Sequence, residues 1–134
     1  MEETFSVKNL IICDDARIEV GGKAILIGVY TGSIKIGIIP IVLPTFSIFV
    51  EVKVLKLSYD RTVFFIRTPN KQEVCRTEGP AKFDNVEFNG SLIYRVAPIA
   101  FEVTGDYEVW VGMDSPPRKV GAFTVVYGAI RSSK

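Results

Sequence analysis

Gly21-Gly22 is the feature that most restricts what this chain can become. Two runs rich in β-branched residues, Leu10–Val20 and Lys23–Tyr30, flank the pair. Two glycines between such runs signal a tight β-hairpin, because hairpin turns need positive φ and glycine reaches it without a Cβ clash. With both glycines central to a two-residue turn, Val20 faces Lys23, Ile18 faces Ile25 and Ala16 faces Ile27. That register sets Ile18 and Ile25 on a core face and Arg17 and Glu19 on the other.

The rest of the chain keeps to the same grammar. From Thr45 to Leu55, Phe46, Ile48, Val50, Val52 and Val54 alternate with Ser47, Glu51 and Lys53, and Phe49 and Leu55 break the pattern. This is the period of a half-buried antiparallel strand. Further strands are expected at 5–13, 16–20, 61–68, 72–77, 91–96, 99–104, 107–113 and 119–127, with Asp14-Asp15 as a bend and 78–90 as a surface connection. The tail, 131–134, is expected to fray. No dozen residues show helical periodicity and no repeat is present. The expected fold is therefore all-β, an immunoglobulin-like two-sheet β-sandwich of about eight antiparallel strands, with residues 1–134 as one domain; a barrel is the competing closure. At 134 residues one core suffices, burying about two thirds of the unfolded surface.

Composition argues against several function classes. Sixteen basic and fifteen acidic side chains leave a net charge of +1 without blocks of like sign, so attraction to nucleic acid or anionic membrane is not expected. No apolar run is long enough for a membrane span. The acidic start lacks the basic region of a signal peptide, and a cytoplasmic location is the default. There is no histidine, which removes the commonest general base and nitrogen ligand. Cys13 and Cys75 lack metal spacing; whether they pair is left open. Arg76 beside Cys75 would favour a thiolate, whereas a buried structural cysteine is the plainer reading.

The carboxylates allow two chemical readings. Asp14, Asp15, Asp60, Asp84, Asp106 and Asp114 fall at expected turns, where they could gather around calcium or simply bond their own backbone. Glu51 and Glu108 form a glycosidase-like pair only if they share one concave face.

Two stretches suggest contact surfaces. Residues 31–44 contain Ile34, Ile36, Ile38, Ile39 and Ile41 beside Pro40 and Pro44, too apolar for an ordinary loop. They form either a crossover tucked into the core edge or a partner surface. In Tyr107–Met113, alternation groups Tyr107, Val109, Val111 and Met113 and leaves Trp110 with Glu108 on the opposite face. Trp110 is then either packed beneath a neighbour or a contact anchor.

The segment C-D-x-x-R-x-E-x-x-G-K-x-x-x-x-G-V-Y from Cys13 to Tyr30, the P-x-x-x-P-x-F of Pro40, Pro44 and Phe46, and G-D-Y-E-V-W-V from Gly105 to Val111 together resemble a family of small bacterial proteins of unknown function. The last also resembles the penultimate strand of immunoglobulin-like sandwiches. The resemblance implies a cytoplasmic β-sandwich and offers no catalytic residues. The expected function is a non-catalytic protein-binding or assembly module that takes no cofactor, metal, small molecule, nucleic acid or membrane. A self-associating structural subunit of a phage-derived or secretion-type assembly is the first alternative. A carboxylate-based enzyme or calcium-binding sandwich is the second.

Overall fold

A computed structural model describes residues 4–86 and 89–128. The described residues form eleven strands and no helix: β1 (Phe5–Ile18), β2 (Ala24–Val29), β3 (Ile34–Ile36), β4 (Ile41–Leu43), β5 (Ser47–Val54), β6 (Ser58–Arg67), β7 (Glu73–Lys82), β8 (Gly90–Arg95), β9 (Ile99–Phe101), β10 (Gly105–Met113) and β11 (Arg118–Tyr127). The all-β expectation holds, while the strand number exceeds the expected eight because β3, β4 and β9 are three-residue pieces. The expected fraying of 131–134 lies outside the described residues.

Three sheets result. One has the order β2-β1-β5-β8, the second β3-β11-β10-β6-β7, and a two-stranded piece pairs β4 with β9. The main core draws on both large sheets: Ile48, Val50, Val52 and Val54 from β5 meet Phe64, Ile66, Tyr107, Val109, Val111 and Phe123 from β6, β10 and β11. These residues are buried because strand alternation turns every second side chain inward. At one end Phe46, Phe101, Tyr107 and Phe123 form a ring cluster, with centroids 5.2 to 6.1 Å apart in each contacting pair.

Strand limits differ most from expectation at two places. Strand β7 runs on through Gly79-Pro80 to Lys82, where a connection was expected. It is the outermost strand of its sheet, so the missing proline N–H is tolerated. Asp14-Asp15 does not end β1 either. It marks a change of ladder partner: β1 pairs with β5 from Phe5↔Val54 to Cys13↔Ser47, then with β2 from Cys13↔Val29 to Ile18↔Ala24.

Candidate functional site: the 14–28 hairpin

The hairpin past Cys13 has a longer loop than a two-residue turn. Gly22 N–H donates to the Glu19 carbonyl at 2.9 Å and Glu19 N–H to the Lys23 carbonyl at 2.7 Å, leaving five residues, Glu19–Lys23, between the strands. Of the two glycines only Gly22 has positive φ, 89°. A two-residue type I′ turn needs both. The register is consequently Ile18↔Ala24, Arg17↔Ile25, Ala16↔Leu26 and Asp15↔Ile27. A shift of one residue turns a strand over. Ile18 and Ile25, expected together on a core face, are on opposite faces and both exposed.

The side with Ala16 and Leu26 packs on a second, small apolar cluster with Cys13, Phe49, Ile11 and Ile93. Phe49 and Ile93 are paired residues of β5 and β8 that alternate with the main core, so this cluster lies on the outer face of the four-stranded sheet. The hairpin leans over that face. Polar bonds pin its base: Arg95 donates to the Ala16 carbonyl at 2.9 Å, and the Tyr30 hydroxyl donates to Asp14 Oδ1 at 3.2 Å. Gly28 has φ +68°, and any Cβ there would run into the Asp14 carboxylate. The hydrogen bond from Arg17, 2.8 Å long, holds the half-buried Asp15 carboxyl below its usual range. Burial, then the charges of Asp15 and Asp14, push the Cys13 thiol up.

The other side faces solvent with Ile25 40% and Ile27 51% exposed; Val29, across from Cys13, is 44% exposed, and Ile18, on the Ala16 side near the tip, is 48% exposed. Strand β2 is also the edge of its sheet, with β1 on one side and, among the described residues, no strand on the other. Isolated exposed hydrophobics are ordinary, but an apolar row on an unpaired edge is not. The sequence reading missed this row by placing its register one residue off. The available signal was AILIGV itself, a strand without polar alternation.

The expected surfaces fare differently. Ile34 and Ile36 are core residues in β3, paired in parallel with Val125 and Tyr127 of β11, so neither belongs to an exposed surface. Ile39 and Ile41 are partly buried against the main core, and Ile38 alone of the five is exposed. Trp110 is half-buried on the outer face of the five-stranded sheet. It stacks on Phe65 at 5.8 Å, lies 4.4 Å from the Arg67 guanidinium and donates Nε1–H to Glu108 at 3.1 Å.

The carboxylate pair does not converge. Glu51 sits on β5 between core residues Val50 and Val52, and bonds to Asn9 and Asn89. Glu108 sits on β10 between core residues Tyr107 and Val109, with Lys119 at 3.3 Å. Each faces away from the core on its own sheet. Among the described residues no three Asp, Glu, His or Cys side chains are placed to hold a metal ion. Asp114 accepts from the backbone N–H of Arg61 at 2.9 Å and forms an ion pair with Lys56 Nζ at 2.6 Å. Cys13 and Cys75 are free thiols on strands of different sheets. Burial raises the Cys75 pKa, and the neighbouring Arg76 is engaged by Glu78 and Glu73.

Residues 8–126 match a family of unknown function, DUF6941. The chain belongs to that family. The matched span takes in the whole hairpin, the 34–41 segment and Trp110, so these features lie within the family's domain. No curated protein matches the chain.

Proposed function

We propose that this DUF6941 member is a non-catalytic protein-binding or assembly module of the bacterial cytoplasm. Its contact surface is the solvent side and free edge of the 14–28 hairpin. The observation that carries the reading is the uncharged edge strand β2, on which Ile25 and Ile27 lie exposed on the solvent side. An extended partner segment would satisfy the free backbone groups and cover the apolar row together. The near-neutral charge supports a protein partner over nucleic acid or membrane, and the two free thiols support a reducing compartment. We read the architecture as an immunoglobulin-like sandwich. What supports this is the Tyr107 hydroxyl, which bonds back to the Val103 carbonyl at 2.6 Å as β10 begins, in the manner of the tyrosine corner of such domains.

The test is a photo-crosslinking amino acid at Ile27, with exposed Thr45 as the control position. An adduct heavier than the chain, formed in cells from position 27 and not from 45, supports the reading. If neither position yields one, the hairpin is not a contact surface.

A further inference from the structure

We infer that the edge of β2 is covered by the β2 strand of a second copy, paired antiparallel about a two-fold axis through Leu26. The inference rests on the hairpin being a contact surface and names what it contacts.

The four edge strands of the two large sheets differ in their protection. Strand β7 carries Glu73, Arg76, Glu78, Pro80 and Lys82; β8 ends on Arg95; β3 is three residues long and centred on Lys35. Charge, proline and brevity are the usual guards against edge-to-edge pairing. Strand β2, Ala24–Val29, has none of them. It is also half of a two-stranded ribbon, which gains most from additional strands.

Self-pairing suits this sequence. An antiparallel two-fold keeps the same face of both strands outward, so pairs join residues of equal parity. Centred on Leu26, it sets Ile25 opposite the partner's Ile27 twice, two β-branched pairs on the face now open to water. Lys23 falls opposite Val29 at each end, and the two lysines stand about 20 Å apart, beyond the screening length at physiological salt. No like charges meet. A foreign strand would satisfy the edge equally but has no reason to match this spacing. The interface is small, about 600 Å² a side or less against roughly 800 Å² for a standard one, so the dimer is a weak one.

Sedimentation velocity on the full chain, from about 1 to 200 µM, should show a concentration-dependent shift toward twice the 14.9 kDa monomer. Ile27→Lys should abolish the shift, whereas Val42→Lys, at an exposed apolar site elsewhere, should not. Circular dichroism confirms that both variants fold. Register is tested by mixing Ile25→Cys with Ile27→Cys under mild oxidation: the mixture should form the disulfide dimer and each variant alone should not. A monomer at every concentration, or an Ile27→Lys chain that dimerises as well as the parent, overturns the inference. In the photo-crosslinking experiment, an adduct of position 27 with a different protein also overturns self-pairing yet leaves the hairpin as contact surface. No adduct removes both.

Discussion

Arg17 lies directly opposite Ile25 in the hairpin ladder, which sets Ile25 on the solvent side and Leu26 on the packed side. Ile25→Thr should accordingly change stability by no more than about 0.5 kcal/mol, while Leu26→Ala, which opens a gap above Phe49, should cost about 2 kcal/mol. Urea denaturation of both variants measures the difference. A larger loss from Ile25→Thr than from Leu26→Ala would mean the register is the one implied by a two-residue turn.

The isoleucine-rich segment divides between core and surface. Ile36 is 3% exposed in β3, beside β11, and Ile38 is 63% exposed two residues on. Ile36→Ser should cost about 3 to 4 kcal/mol through a cavity and a buried hydroxyl, and Ile38→Ser less than about 0.5. Thermal melts of the two variants should stand well apart.

Asp114 ties the turn between β5 and β6 to the end of β10. The Lys56 bond, then the Arg61 N–H, hold its carboxyl below the usual aspartate range. A carboxylate with a lowered folded-state pKa adds stability that is present above its unfolded pKa and is lost as pH falls through the folded value. Stability should therefore decline below about pH 4, and Asp114→Asn should flatten part of that decline. Urea midpoints taken across the acid range for both chains test this.

Tyr94 stacks on Phe64 at 4.0 Å with its hydroxyl buried and unpartnered, and burial pushes its pKa up to about 12. A raised folded-state pKa means that its contribution is intact below the unfolded value, about 10, and is lost as pH climbs toward 12. Tyrosinate absorbance should show one of the five tyrosines ionising late or only on unfolding. Tyr94→Phe removes an unsatisfied hydroxyl, so it should leave stability unchanged or raise it by about 1 kcal/mol.

Much of the fold was legible where one face of a strand is buried and the other is not. Phe46–Val54 and Tyr107–Met113 reveal their inward sets by alternation alone, and all nine inward residues are buried. The hairpin was legible as a hairpin and not in its register. Gly21-Gly22 suits a two-residue turn, but the chain needs positive φ only at Gly22, and a local sequence does not announce how many residues its loop takes. The exposed pair Ile25 and Ile27 was hidden by the same slip. Ile34 and Ile36 misled for a different reason: a short strand buried by one parallel neighbour has no alternation partner in sequence, and its apolar run looks the same whether it is covered or bare.

Strand β1 passes its hydrogen bonds from β5 to β2 at Cys13 without a break in the backbone. Anything that grips the hairpin thus pulls along the axis of a strand sewn into the middle of the sheet. Such a load would be met in shear by the whole row of rungs between Phe5 and Cys13 rather than by peeling them one at a time.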